Sequence, residues 1–288
     1  MDIVTPIPAA TGSQVAMIAV SNFFLGADGV SNSTGVSSTA YAAIANNWLA
    51  GGGIVVVTQE ASNPYSSGES LADVYTPGTN ANNNWNAFLN TQAAWFKSLN
   101  GTVIWRPFAE INFPGSAHSF ANLTPAQAVL LWQYTHDYFA SKGVTNVLWM
   151  LNLNAWDGRN NGSTYYNGSD YYPGSAYVDI VSLDSYPPNA GPWVNGMYNY
   201  FVTTGKPIFF AEVGSNPNDA AVVVDTVDNS TILDQVKVNF PKAVGMLFWC
   251  FNQGIPKQNG ASTLMSDPAI ITLSDVPTVF LNESNNSP

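Results

Sequence analysis

Charge is what this sequence most conspicuously lacks. Only 9% of its 288 residues are Asp, Glu, Lys or Arg, against about 25% in an ordinary soluble domain. Cations are scarcest: eight Lys and Arg stand against nineteen Asp and Glu, a formal net charge of −11. Neutralising a phosphate backbone needs clustered Lys and Arg. These few are scattered, which excludes nucleic acid and anionic membranes as partners and disfavours strongly anionic polysaccharides. Cysteine occurs once, at Cys250 in "MLFWCF", so no internal disulfide can form, and the residue reads as a small buried hydrophobe. The two histidines, His118 and His136, are far apart, with no H-E-x-x-H and no Cys pair. The pattern for zinc is therefore missing, and neither a metal nor any other cofactor is expected. No apolar run reaches the ~20 residues of a membrane span. No basic-then-apolar leader follows Met1. A G-x-G-x-x-G fingerprint and a phosphate loop are also missing, which argues against a nucleotide-binding sheet.

What is present is apolar and aromatic. Hydrophobic residues make up 46% and aromatics 13% of the chain, enough for a large core. Asn, Ser, Thr and Gly supply the polarity. Such a wet, weakly charged surface suits an extracellular setting, where the chain is expected to act. It also suits neutral sugars, which bind to ring faces and amides without charge.

Strand-like runs alternate with helical patterns along residues 1–288, read as one domain without a linker or repeat. The runs are "VAMIAVSNF" (15–23), "GIVVVTQE" (53–60), "TVIWRPFAE" (102–110), "NVLWMLN" (146–152), "YVDIVSLDSY" (177–186), "KPIFFAEVG" (206–214) and "VGMLFWCF" (244–251). They are continuous rather than alternating, as in a parallel sheet buried on both faces. Helices are expected over "TAYAAIANNWLAGG", "NNNWNAFLNTQAAWFKSLNG", "TPAQAVLLWQYTHDYFASKG" and "NSTILDQVKVNFP". In the third, Thr124 is the N-cap and Pro125 the first helical residue. Repeated β–α units of this length argue for a barrel or an open doubly wound sheet. Without a nucleotide fingerprint, the expected fold is a single α/β domain, a (β/α)8 TIM barrel. Its eighth strand is sought in "DIVTPI" (2–7), with "VPTVFL" (276–281) as the rival.

In such a barrel, function sits where the strands end. The strand ends carry Gln59 and Glu60; Glu110 and Asn112; Asn152 and Asn154; Asp184 and Tyr186; Glu212; and Trp249 followed by Asn252 and Gln253. Acids also favour loops for ordinary reasons, but Glu110 and Glu212 directly follow apolar strand residues. Two glutamates on separate strands suit glycoside hydrolysis: one carboxyl donates a proton to the leaving oxygen, the other attacks the sugar carbon. Arg106 is placed to keep the second glutamate ionised.

Five stretches carry a family resemblance over roughly residues 50 to 250. "TVIWRPFAEIN" resembles the R-P-x-H-E-M-N motif of glycoside hydrolase family 26, retaining barrels that include endo-β-1,4-mannanases. "YVDIVSLDSY", "KPIFFAEVGS", "GGGIVVVTQEASNP" and "DVYTPGT" resemble further motifs of that family, in the same order. The resemblance implies a general acid/base at Glu110 and a nucleophile at Glu212, after the fourth and seventh strands when residues 2–7 count as the first. It implies that Tyr186 hydrogen-bonds the nucleophile, that Trp249 stacks on the reactive sugar, and that Arg106 and Asn112 support the acid/base. Two positions depart from the pattern: Ala109 replaces the His before the acid/base, and Gln59-Glu60 replaces a Trp-His pair. These departures point to a β-glycan other than mannan, or an exopolysaccharide, with Gln59, Glu60, Trp156 and Asp184 as further sugar-binding candidates. The alternative is a carbohydrate-binding barrel without turnover. Aromatics in two expected loops, 154–174 and 186–200, read equally as sugar platforms or as packing. His118 is a candidate for the leaving-group side.

Overall fold

The computed structural model describes residues 6–22, 38–59, 64–65, 67–112, 123–155, 168–186, 192–214, 228–249 and 251–276. Seven parallel strands form one sheet in chain order: β1 (Met17–Asn22), β2 (Ile54–Gln59), β3 (Val103–Arg106), β4 (Val147–Asn154), β5 (Ile180–Ser185), β6 (Ile208–Val213) and β7 (Ala243–Phe248). Consecutive order with parallel pairing requires a crossover after every strand. The first and last strands come within 8 Å of one another (Cα–Cα), so the sheet curls into a nearly closed barrel. Helices α1 (Pro6–Thr11), α2 (Ser38–Ala50), α3 (Leu71–Tyr75), α4 (Asn80–Lys97), α5 (Pro125–Ser141), α6 (Pro192–Thr204), α7 (Asn229–Asn239) and α8 (Ala261–Met265) accompany it.

The continuous apolar runs have a two-sided reason. Val56, Ile104, Met150, Ile180, Phe209 and Ala211, drawn from five successive strands, pack on one another as the barrel's inner layer. Their neighbours Val57, Trp105, Trp149, Leu151, Val181 and Phe210 point the other way, into the large core shared with the helices. Trp105 stacks on Phe139 of α5 at 4.4 Å between ring centroids and packs on Trp149 at 4.8 Å. Helix α5 starts as its sequence directs: Thr124 accepts from the Gln127 N–H and Gln127 reaches back to the Thr124 N–H.

Three expectations need correction. The strand expected over 102–110 stops at Arg106, because Pro107 has no N–H to give the ladder; residues 107–112 are turn. The aromatic segment 186–200, expected as a loop, is helix over 192–200, since α6 begins at Pro192. Of the segment 2–7, Pro6 and Ile7 open α1 instead of ending a strand, and the rest of it lies outside the described residues, as does 277–281 of the rival. Among the described strands, Glu110 therefore follows the third and Glu212 lies on the sixth.

Candidate active site

Inward-facing positions on β3 to β6 converge at the strands' C-terminal ends. Arg106 shares the inner face with Ile104, two residues earlier. It is fully buried, and Nη1 donates to Oδ1 and Oδ2 of Asp184 at 3.2 and 3.3 Å, while Nη2 donates to Oε1 of Glu212. Glu212 reaches this face through a β-bulge. Leu183 pairs with Phe210 but Asp184 pairs with Glu212, so Ala211 is an extra residue that turns Glu212 inward. Bulges beside sites commonly re-aim a side chain in this way. Tyr186, just past β5, donates its hydroxyl to Oε2 of Glu212 at 2.8 Å.

Glu110 arrives from a turn, not a strand end. Its φ is +49°, the only positive value at a non-glycine residue among those described, and such conformations persist where surrounding bonds enforce them. Here the Glu110 N–H donates to Oδ1 of Asn152 at 2.7 Å, and Nδ2 of Asn154 donates to Oε1 of Glu110 at 2.6 Å. Asn112 exchanges two bonds with the backbone of Asn154, at 2.9 and 2.7 Å. Asn152 also donates to Asp184 at 2.7 Å and Ser182 at 3.1 Å. One oxygen from each of Glu110, Asp184 and Glu212 lies within 4.8 Å of the others. That donor set could accept a divalent cation, but Arg106 already supplies the cation between Asp184 and Glu212.

The electrostatics follow from crowding three carboxylates around one guanidinium. Burial pushes Glu212 above its ordinary value of 4.5; Arg106 opposes this, Glu110 adds to it, and the donated bonds from Arg106 and Tyr186 oppose it. Asp184 is pushed well above 3.8, first by burial and further by Glu212 and Glu110, against Arg106 and the Asn152 amide. Burial alone would weaken Arg106 as a base, but Asp184 and Glu212 outweigh it, so the guanidinium stays protonated. Tyr186 is driven far upward by burial and then by Glu212, so it stays a donor.

The family model for glycosyl hydrolase family 26 matches residues 5–273. The chain belongs to glycosyl hydrolase family 26. Among curated relatives, it is 26% identical over 245 residues to mannan endo-1,4-beta-mannosidase A and B of Caldalkalibacillus mannanilyticus, covering 78% of this chain and 45% of that one. It is 28% identical over 127 residues to a mannan endo-1,4-beta-mannosidase of Bacillus subtilis, covering 44% and 31%. The chain thus spans less than half the length of these relatives. Its fold matches a Bacillus subtilis mannanase at TM-score 0.73 and 21% identity, covering 92% of this chain and 80% of that one. It matches a family 26 β-mannanase of Bacteroides ovatus at 0.71 and 18%, covering 94% and 84%. These two likenesses establish the (β/α)8 fold.

Against that family pattern, the expected site residues separate into groups. Glu110, Glu212, Arg106, Asp184, Tyr186 and Asn112 come together as described. Trp249 is half-buried beside them, its N–H bonded to the Val213 carbonyl at 2.8 Å. Asp184 is wholly buried, so it is no direct sugar contact: it anchors Arg106. Gln59 is likewise sealed, its Oε1 accepting from Trp105 Nε1 at 2.9 Å in the helix-facing core. Strand alternation explains this: Val56 and Thr58 face in, so Gln59 faces out. Glu60, Trp156, His118 and Cys250 lie outside the described residues. His136 packs on Trp149 and Tyr177, each at 5.0 Å, against the helix layer. Tyr171 is buried, Tyr172 packs edge-on to Tyr200 at 6.0 Å, and the Tyr198 hydroxyl accepts from the Lys242 N–H, so these tyrosines pack the barrel. Asn152 and Asn154 lie at a strand end, and no sequence motif gives them a role. Their spacing of two on one strand puts both on one face, while their position opposite the Glu110 turn comes from the register in space.

Proposed function

We propose that this chain is a retaining β-glycoside hydrolase that cleaves a neutral β-linked polysaccharide by double displacement. The observation that carries the reading is the approach of carboxylate oxygens of Glu110 and Glu212 to within 4.8 Å. Retaining enzymes hold their two carboxyls about 5–5.5 Å apart, whereas inverting ones need about 6.5–9.5 Å to admit a water between acid and base. Glu212 holds two donated hydrogen bonds that stabilise its ionised form, and it attacks the anomeric carbon. Glu110 passes its proton to the glycosidic oxygen as that bond breaks, freeing the leaving sugar as an alcohol. In the second step Glu110, now a carboxylate, takes a proton from water. The water oxygen bonds to the anomeric carbon and Glu212 departs as carboxylate.

The curated relatives cleave mannan by name, which makes β-mannan the reference substrate. Two features favour a shifted preference. Ala109 is buried and offers no imidazole to the sugar, and Gln59 faces the helix layer. We therefore favour another neutral β-glycan or an exopolysaccharide. For a polymer too large to enter a cell we propose that the enzyme acts outside it, a reading the sparsely charged surface supports. Fractionation of the source organism checks this: activity confined to the cytosol contradicts it.

The deciding experiment is kinetics on mannan, mixed-linkage glucan, xylan and bacterial exopolysaccharides, with Glu110→Ala and Glu212→Ala alongside. Both variants should lose activity by orders of magnitude while keeping the parent's fold by circular dichroism. Highest turnover on mannan removes the shifted preference and keeps the hydrolase. Oligosaccharide binding without cleavage by the unmutated protein removes the hydrolase.

A further inference from the structure

The Glu110 turn is clamped by asparagines rather than by apolar packing alone. Asn112, Asn152 and Asn154 are all buried. Through them the turn is tied to β4 at a backbone N–H, at a carboxylate oxygen, and at the residue two positions on. Asn152 continues the connection to Asp184, and Asp184 to Arg106 and Glu212. One strand therefore holds the acid/base in register with the nucleophile's own support.

The direction of one of these bonds matters chemically. The Nδ2 of an asparagine only donates. When Glu110 is a neutral acid, one of its oxygens is a carbonyl-type acceptor and the other carries the proton. Nδ2 of Asn154 donates to Oε1, so Oε1 takes the acceptor role and the proton belongs on Oε2.

We propose that Asn154 and Asn152 are positioning residues for the acid/base. Asn154 selects which oxygen of Glu110 bears the proton delivered to the leaving group, and Asn152 holds the left-handed backbone that aims it. This rests on the reading of Glu110 as acid/base, and it goes beyond that reading by assigning work to two residues outside the expected site. Holding a reacting group in one geometry is worth large rate factors, and well-placed general acid catalysis contributes about 10²–10⁴-fold.

The test compares two leaving groups on Asn154→Ala, the near-isosteric Asn154→Asp, Asn152→Ala and Glu110→Ala. An unactivated oligosaccharide needs a delivered proton; a dinitrophenyl glycoside of the same sugar departs without one. For the asparagine variants kcat/KM should fall about 10- to 100-fold on the oligosaccharide but stay within about threefold on the aryl glycoside. With the aryl glycoside, kcat and KM should fall together, because the second step still needs Glu110 as base. A merely structural defect would lower kcat/KM on both substrates alike, and that result overturns the proposal. Glu110→Ala separates the two layers of the argument. If it discriminates between leaving groups and the asparagine variants do not, the positioning role is wrong and the acid/base stands. If it does not discriminate, the acid/base assignment is wrong. Should Asn154→Ala melt early, Asn154→Asp, which keeps the side chain's size, carries the comparison.

Discussion

The hydroxyl of Tyr186 donates to Oε2 of Glu212 at 2.8 Å, while Arg106 holds the other oxygen of the same carboxylate. The carboxylate of Glu212, the proposed nucleophile, is thus fixed at both oxygens, and both contacts favour its ionised form. Tyr186→Phe removes one of them with almost no change in volume. A hydrogen bond to a charged group is worth about 1.5–3 kcal/mol. Activity should fall about 10- to 100-fold, and the acidic limb of the pH–rate profile should move to higher pH, because Glu212 then binds its proton more tightly. An unmoved acidic limb would show that the tyrosine does not act through Glu212.

Arg106 is the sole cation in contact with Asp184 and Glu212 among the described residues. Removing one partner of a buried ion pair leaves uncompensated charge, at a cost of about 3–5 kcal/mol. Arg106→Met should lower unfolding stability by that order in a denaturant titration. Combining it with Asp184→Asn should recover part of the loss, since the stranded charge goes with it. Arg106→Lys should not rescue activity, because one ammonium cannot serve two carboxylates through a planar fork. Equal stability of Arg106→Met and parent would contradict the buried pairing.

Stability should also respond to pH with a definite sign. Folded Asp184 and Glu212 bind protons more tightly than their ordinary values of 3.8 and 4.5. Above those ordinary values the native state binds more protons than the unfolded chain, so unfolding free energy falls as pH rises. The contribution is full below the ordinary values and is lost as pH rises through the raised ones. Repulsion within a chain of net charge −11 acts in the same direction. Melting temperature should therefore decline from mildly acidic to neutral pH. Glu212→Gln and Asp184→Asn isolate the local part, and each should flatten the slope; identical slopes in parent and variants would refute it.

Gly214 follows Glu212 by two residues, and a methyl group there would sit 2.1 Å from Oε1 of Gln253 and 3.2 Å from Cδ1 of Tyr186. Gln253 is itself buried, so it has little room to retreat. Gly214→Ala should cost about 1–3 kcal/mol of stability by overpacking. It should also reduce kcat more than it raises KM, since the displaced ring is the one bonded to Glu212. A variant with parental kcat would mean that Tyr186 tolerates the shift.

Much of this arrangement is legible in the sequence, and the misses have physical reasons. All seven strands show as continuous apolar runs; β2 to β6 do so because both sheet faces are largely buried, while β7 is only half-buried. Glu212 stands out as a carboxylate inside such a run. The run through Glu110 looks the same, but Pro107 ends the ladder and Glu110 sits in a turn at φ +49°; apolar turn residues buried under the helices imitate a strand. Gln59 reads as a mouth residue because it ends β2, yet a period of two turns it toward Trp105. The bulge at Ala211 that turns Glu212 inward has no sequence signature. The asparagine clamp depends on the register between the Glu110 turn and β4, which only pairing in space reveals.

The closeness of Glu110 and Glu212 has one most direct consequence, the stereochemistry of the first product. Proton NMR of a β-linked oligosaccharide, followed from the first minute of hydrolysis, reads the anomer before mutarotation. Two displacements through Glu212 should release the β-anomer first, with the α-anomer growing in later. Release of the α-anomer first would require a water between the two carboxylates, and would contradict a nucleophile at Glu212.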